Sequence, residues 1–267
     1  MAWTGTELLL LTERLSALAL LLQSVEWLQV RAAFADNGVW RYALLLPEQR
    51  ALPFGLSWLC RMSLPYARFV GLLWLRCAAA SLALFLGESS VWPFLLITQI
   101  LVCVRFRGAS NGGSDSMSVV LTSALSLPVL LGRTPLAIQA ALLYIAVQVT
   151  LSYVIAGLAK LRQADWRDGS ALRHFVVGSP YGVPKLVQRL LERRALAEVL
   201  GWSIIAFECL FPLAWLDPRV CVAWLICGTL FHAANVLVLG LNRFFWAWVA
   251  AYPALLAGSE LLSVLSG

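Results

Sequence analysis

PLAIQAALLYIAVQVTLSYVIAGLAKL, residues Pro135–Leu161, is the stretch that decides the fold of this chain. It carries no charged residue before Lys160, and a polar segment with Trp166, Asp168 and Gly169 follows it at once. An α-helix needs about 20 apolar residues to cross the hydrocarbon core of a bilayer, and this stretch is longer than that. The sequence therefore predicts a transmembrane helix that ends in a lysine.

The whole chain shares the apolar character of that stretch. Of its 267 residues, 61% are hydrophobic and 13% are charged, whereas soluble domains have about 45–50% apolar and about 25% charged residues. The start of the chain lacks the basic region and the small-x-small motif of a cleavable signal peptide, so we expect the first hydrophobic segment to remain as an anchor. We therefore predict an integral membrane protein whose residues 1–267 form a single domain.

Several segments are apolar enough to be considered as membrane spans. They are Thr6–Val30, Tyr66–Leu86, Val91–Val104, Met117–Leu131, Pro135–Leu161, Leu196–Trp215, Val220–Leu239 and Phe244–Leu265. The third and fourth segments are short and would be tilted or paired as a re-entrant unit. The sequence thus predicts an all-α, polytopic helical membrane bundle with about six to eight transmembrane helices.

The basic residues predict an orientation. Most of the 20 Lys and Arg residues fall in or beside the odd-numbered loops between these spans, whereas the even-numbered loops hold only Arg133 and Arg219. The positive-inside rule then places the odd-numbered loops in the cytoplasm and both termini outside. The net charge of +6 is therefore explained by membrane topology and contact with the lipid bilayer, and we expect no nucleic-acid partner.

The first predicted span carries Glu13, Arg14, Gln23 and Glu26 at membrane depth. Neighbouring Glu13 and Arg14 point about 100° apart on a helix, so each needs a partner on another helix. Arg76, deep in the second span, is the best-placed cation for one of the glutamates. Glu13, Glu26 and Arg76 are therefore candidates for an intramembrane ion pair, and such pairs either hold a bundle together or mark a functional site.

Lys160 has two competing interpretations. A lysine inside hydrocarbon is costly unless it is paired or its head reaches water, so an intramembrane lysine indicates a functional site. Because this one lies within a turn of the helix end, snorkelling of its head to the interface explains its position nearly as well. Glu208, four residues before Pro212 in the sixth predicted span, also needs a cation or a proton. We expect Lys160 to be that cation.

Two further polar residues, His232 and Asn235, lie three residues apart in the seventh predicted span and share one helix face. An unpaired imidazole in hydrocarbon is costly, so His232 needs a partner there. Tyr153 lies on the same face of its helix as the lysine, and Gly157 between them would let a flat ligand or a second helix approach closely. Together with the predicted ion pair, His232 and Asn235 would line one polar pocket. No CxxC motif occurs, and we expect no metal.

Three of these motifs resemble one family, the HTTM domain. They are YVIAGLAKLRQADWRDGSAL at residues 153–172, FECLFP at 207–212 and FHAAN at 231–235. That domain is the membrane part of vitamin K-dependent gamma-carboxylase, and it also occurs in bacterial proteins of the sporulation-delaying protein B type, which are associated with maturing a secreted peptide toxin. The resemblance covers about residues 111–252. Since DoxX-like membrane proteins have similar AGLAKL runs, the resemblance depends on the lysine, W-x-x-G and F-H-x-x-N in this order.

The resemblance implies a chemistry that uses a reduced quinone. In the carboxylase the matching lysine deprotonates vitamin K hydroquinone, oxygenation of that quinol yields a strong base that removes a proton from a peptide glutamate, and carbon dioxide adds to the carbanion. Carried over, Lys160 would be the catalytic base, and His232 with Asn235 would position the quinol (vitamin K hydroquinone or menaquinol) or the substrate. The other residues that we predict for this pocket are Tyr153, Gly157, Trp166 and Glu208.

The sequence departs from the carboxylase in two respects. The carboxylase has a large soluble domain after its membrane part, whereas this sequence stops at Gly267, so the choice of a peptide would need a separate partner protein. The carboxylase works on the lumenal side, whereas the charge count places the Lys160 loop in the cytoplasm.

Three functional hypotheses follow. The first is a bacterial enzyme or enzyme subunit of the inner (plasma) membrane that uses a quinol to modify or mature a secreted peptide. The second is a non-catalytic helper in peptide export, maturation or immunity, in which Lys160 is structural. The third is a DoxX-like, quinone-linked redox subunit of the membrane.

Overall fold

The computed structural model describes residues 4–49, 51–106, 112–177 and 183–266, and these form helices and turns without a β-strand. The helices are α1 (Gly5–Gln29), α2 (Leu46–Gln49), α3 (Phe54–Ser63), α4 (Tyr66–Ser81), α5 (Trp92–Phe106), α6 (Gly112–Leu130), α7 (Pro135–Arg162), α8 (Ala164–Arg167), α9 (Ser170–Val177), α10 (Lys185–Glu192), α11 (Arg194–Cys209), α12 (Pro218–Leu239) and α13 (Asn242–Ser266). A π-helical turn, Leu82–Leu86, extends α4, and 3-10 turns occupy Arg31–Phe34, Tyr42–Leu45, Ser89–Val91 and Phe211–Trp215.

Six helical segments within the described residues are long and apolar enough to cross a membrane. They are Gly5–Gln29, Tyr66–Leu86, Ser89–Phe106, Pro135–Arg162, Pro218–Leu239 and Asn242–Leu265. The hydrocarbon core of a bilayer offers no hydrogen-bond partners, and a helix pairs its backbone N–H and C=O groups within itself. The predicted all-α membrane bundle is confirmed, and the chain is a multi-pass membrane protein. The predicted fourth and sixth spans are also helical, as α6 and as α11 with its following 3-10 turn, but they are not among these six.

The chain divides into two compact units, which are described separately. The N-terminal unit is Leu9–Ala141, and the C-terminal unit is Leu142–Gly267 with Met1–Leu8.

The core of the N-terminal unit is a cluster of aromatic side chains around an arginine. Trp27 stacks on Phe106 with ring centroids 3.5 Å apart, and Phe34 and Phe69 meet Phe106 edge-on. Buried Arg105 lies over this cluster and donates to the backbone carbonyls of Phe34 and Trp40 at 3.1 and 2.7 Å. The rings thus accommodate the guanidinium plane while the carbonyls accept its hydrogens.

The C-terminal unit contains the lysine-bearing part of α7 together with α8–α13. The indole nitrogen of Trp215 donates to the hydroxyl of Thr150 at 2.8 Å, which ties the 3-10 turn after α11 to the middle of α7. Asp217 begins α12 by accepting a 2.7 Å hydrogen bond from the backbone nitrogen of Arg219, with Pro218 in the first turn. The first contact holds the end of α11 and its turn against α7, and the second fixes the residue at which α12 begins.

Candidate functional site

Lys160 and Glu208 form a buried ion pair in the C-terminal unit. The ammonium nitrogen of Lys160 lies 2.8 and 2.7 Å from the two carboxylate oxygens of Glu208. The side chain of Glu208 is 4% exposed and that of Lys160 is 17% exposed. The same ammonium lies 5.0 Å from the ring centroid of Trp166, within the range of a cation–π interaction. The structure thus brings together the lysine, the glutamate and the tryptophan that the sequence singled out.

Gly157 allows this pair to form because it brings α7 against the end of α11. A Cβ atom added at Gly157 would lie 2.8 Å from both the backbone nitrogen and the sulfur of Cys209, and 2.9 Å from Cβ of Glu208. Of the two roles expected for this glycine, the structure shows the close approach of a second helix. The helix α11 ends at Cys209, before Pro212, which lies in the 3-10 turn.

A second polar group of the site is a chain of three side chains from α7, α12 and α13. The hydroxyl of Tyr153 lies 2.6 Å from Nε2 of His232 and 2.8 Å from the hydroxyl of Tyr252. All three residues are buried. The ring of Tyr153 also stacks on Phe211, with centroids 3.9 Å apart. The hydroxyl of Tyr153 is therefore the hydrogen-bond partner that the buried imidazole needs, since hydrocarbon offers none.

Tyr252 and the small residue beside it, Gly228, are not indicated by any motif in the sequence. A Cβ atom at Gly228 would collide with the hydroxyl of Tyr252 and would lie 3.3 Å from the hydroxyl of Tyr153. The available signal was weak: a tyrosine and a glycine in apolar helices, without a spacing that links them.

Both polar groups open onto one cavity of about 370 Å³ in the C-terminal unit. Among its lining residues are Tyr153, Lys160, Trp166, Glu208, His232 and Asn235. Most of the remaining wall is aliphatic or aromatic, including Phe231, Phe244 and Trp248. An apolar cavity with few polar groups is the usual form of a site for a small organic molecule, and its volume falls in the common range of about 300–1,000 Å³.

The ion-pair candidates of the first two predicted spans lie elsewhere, in the N-terminal unit. Glu13 forms an ion pair at 2.9 Å with Arg133, not with the expected Arg76. Arg76 instead donates to the side-chain oxygens of Gln23, at 2.6 Å, and Gln99.

The remaining candidate of that set, Glu26, is half-buried on α1.

The side chain of Gln23, which accepts from Arg76, donates to Asp115 at 2.9 Å. The amide oxygens of Gln23 and Gln99 thus accept from the guanidinium of Arg76, and an amide acceptor carries no charge of its own to desolvate.

The fold and the site together define a multi-pass helical membrane protein with an apolar cavity that carries a lysine–glutamate pair and a histidine–tyrosine chain. Comparison of the chain with protein-family models, curated proteins and solved structures finds no match.

Proposed function

We propose that the C-terminal unit binds a quinol in this cavity and that the Lys160–Glu208 pair receives its hydroxyl proton. The proposal makes the protein a quinol-using enzyme, or a subunit of one, that modifies a secreted peptide, as the resemblance to the HTTM domain implies. The observation that carries it is the meeting of a lysine, a glutamate, a histidine and an asparagine on the wall of one apolar cavity.

The cavity suits a quinol in size and chemistry. Its aromatic and aliphatic wall accommodates a flat ring, and its few polar groups match the oxygens at the two edges of such a ring. Lys160 and Trp166 would lie at one polar part of the wall, and His232 with Asn235 at another. A reduced quinone, when bound, would supply the electrons for oxygen chemistry, and the apolar wall would exclude bulk water from it.

The ion pair provides a route for the proton. Transfer of one proton from Nζ of Lys160 to a carboxylate oxygen of Glu208 leaves both groups neutral, and a low-dielectric cavity favours neutral groups. The amine then has a free lone pair with which to hold a hydroxyl proton from the bound molecule, while the carboxyl group keeps the first proton. Lys160 would thus be the base and Glu208 the group that makes its amine available.

One observation favours a non-catalytic alternative. Both carboxylate oxygens of Glu208 already contact the ammonium of Lys160. The ion pair therefore also explains itself as a structural contact that holds α7 against α11. In that case the protein would be a helper in peptide export, maturation or immunity. Under either alternative we place the protein in the plasma membrane of a bacterium, with a peptide substrate and a separate partner protein that selects it.

The test uses the protein in lipid nanodiscs with a short-chain menaquinol under anaerobic conditions. We expect the wild type to bind the quinol and to shift its ultraviolet spectrum toward that of the quinolate anion. K160M should bind it without the spectral shift. The only other lysine of the chain, exposed Lys185 on α10, provides the matched control, and K185M should behave as the wild type does.

Two results would contradict the proposal. Failure of the wild type to bind menaquinol would exclude a quinol site. Equal spectral shifts in the wild type and K160M would exclude Lys160 as the base. Its remaining role would be the structural ion pair with Glu208.

A further inference from the structure

Helix α3 of the N-terminal unit exposes a row of large apolar side chains. Phe54, Trp58 and Met62 are 82%, 56% and 46% exposed. They lie four residues apart, so successive members turn by only about 40° around the helix axis and form one continuous stripe. On the opposite face of α3, Cys60 is buried in the aromatic core of this unit and Leu56 packs against that core. The core thus fixes the rotation of α3 and directs the stripe outward.

The position of α3 in the chain places this stripe at the surface of the membrane. The helix ends at Ser63, and the membrane-spanning segment Tyr66–Leu86 begins after only two further residues, Leu64 and Pro65. A helix so close to the start of a span cannot lie far from the lipid headgroups. An amphipathic helix at this depth buries its apolar face about 5–10 Å into the boundary between headgroups and acyl chains, and tryptophan is enriched there.

Two exposed guanidinium groups lie beside the stripe. Arg61 on α3 donates to the hydroxyl of Ser57 at 3.1 Å. Arg68, in the first turn of α4, donates to the backbone carbonyl of Met62 at 3.3 Å. Each guanidinium has five N–H donors, which is more than these contacts use. The edge of the stripe is therefore positively charged, and phosphate is an anion whose geometry matches a guanidinium.

A cavity of about 470 Å³ lies on the flank of α3 beside Arg61. Its wall combines polar and apolar side chains, namely Gln49, Ser57 and Arg61 with Leu46, Leu52 and Phe54. The hydroxyl of Tyr42 donates to the side-chain oxygen of Gln49 at 2.7 Å and so holds the polar part of the wall in place. Phe54 belongs both to this wall and to the exposed stripe, so the cavity and the stripe are continuous. Their combination suits a molecule with a polar head and apolar chains.

We propose that α3 lies in the membrane interface and binds an anionic phospholipid, with the headgroup phosphate at Arg61 in the cavity and the acyl chains along Phe54, Trp58 and Met62. The lipid holds the segment between α1 and α4 against the bilayer surface. This site belongs to the N-terminal unit alone and does not depend on the function proposed for the cavity of the C-terminal unit.

The first test measures the depth of Trp58 in lipid nanodiscs. Because the chain has 12 tryptophans, the fluorescence of W58F is subtracted from that of the wild type, and the difference reports Trp58. We expect this difference to be quenched by phospholipids brominated near the headgroup end of their acyl chains and to be insensitive to aqueous iodide. Trp58 is exposed on its helix, so phenylalanine should leave the fold intact. Quenching by iodide alone, or by neither quencher, would overturn the proposal.

The second test measures lipid retention by native mass spectrometry of the detergent-solubilised protein. We expect the wild type to retain phosphatidylglycerol in preference to phosphatidylcholine with the same acyl chains. R61Q should bind phosphatidylglycerol about fivefold more weakly, whereas R219Q, at an exposed arginine of the C-terminal unit, should bind it as the wild type does. Equal retention by R61Q and the wild type would overturn the proposal. A wild-type dimer that becomes a monomer in W58S would assign the stripe to a second copy of the chain and would also overturn it.

Discussion

Lys160 on α7 contacts both carboxylate oxygens of Glu208 on α11, although the two residues are separated by 48 positions in the chain. The glutamate is the more deeply buried partner, with 4% of its side chain exposed against 17% for the lysine. The two ends of this ion pair therefore have different environments, and their removal has different consequences.

The ion pair predicts an asymmetric double-mutant cycle. K160M leaves the buried carboxylate of Glu208 without its cation and should lower the free energy of unfolding by about 3 kcal/mol. E208Q should lower the free energy of unfolding by less, because the Lys160 side chain is 17% exposed and its ammonium can turn toward a polar environment. The double variant K160M/E208Q should recover most of the loss. Unfolding in mixed micelles measures all three values, and a strictly additive double variant would contradict the pairing.

The close approach of α7 and α11 predicts that Gly157 does not tolerate a methyl group. G157A places a Cβ atom 2.8 Å from the backbone nitrogen of Cys209, so we expect a loss of about 1–3 kcal/mol in the free energy of unfolding. The control is G71A on α4, where nothing lies within 4 Å of the added atom. That variant should be neutral or slightly stabilising, since alanine favours a helix. Equal effects of the two substitutions would show that the helices are not in contact at Gly157.

The fold was largely predictable from the sequence because the bilayer imposes a simple rule on helix length. The predicted span Pro135–Leu161 corresponds to α7, Pro135–Arg162, and an apolar run of that length has few alternatives in a membrane. The pairing of Lys160 with Glu208 was also predictable, since each group is costly in an apolar segment without an opposite charge.

Other contacts were not predictable because they depend on how separate helices rotate against one another. The pairing of Glu13 with Arg133 spans 120 residues, and no periodicity within either helix reports it. The same holds for Tyr252, whose hydroxyl reaches Tyr153 only because Gly228 leaves space beside it.

The arginine in the aromatic core of the N-terminal unit predicts a strong difference between arginine and lysine. Arg105 lies 5.7, 5.7 and 5.6 Å from the ring centroids of Phe34, Phe69 and Phe106 and donates to two backbone carbonyls. R105K keeps the charge but loses the planar fork, so we expect it to lower the free energy of unfolding by about 2 kcal/mol. R219K, at an exposed arginine, should change it by less than about 0.5 kcal/mol. A neutral R105K variant would contradict the structural role of the guanidinium.

The contact between Gly228 and Tyr252 predicts that one substitution rescues another. G228A directs a methyl group at the hydroxyl of Tyr252 and to within 3.2 Å of its ring carbon Cζ, so it should lower the free energy of unfolding by about 1–3 kcal/mol. Y252F removes the colliding oxygen and costs about 1 kcal/mol by itself, because the 2.8 Å hydrogen bond to Tyr153 is lost. In the double variant G228A/Y252F the methyl group occupies the space that the hydroxyl vacates. We therefore expect the double variant to be more stable than G228A alone, as measured by unfolding in mixed micelles. A double variant that is less stable than G228A would show that the two residues do not meet across α12 and α13.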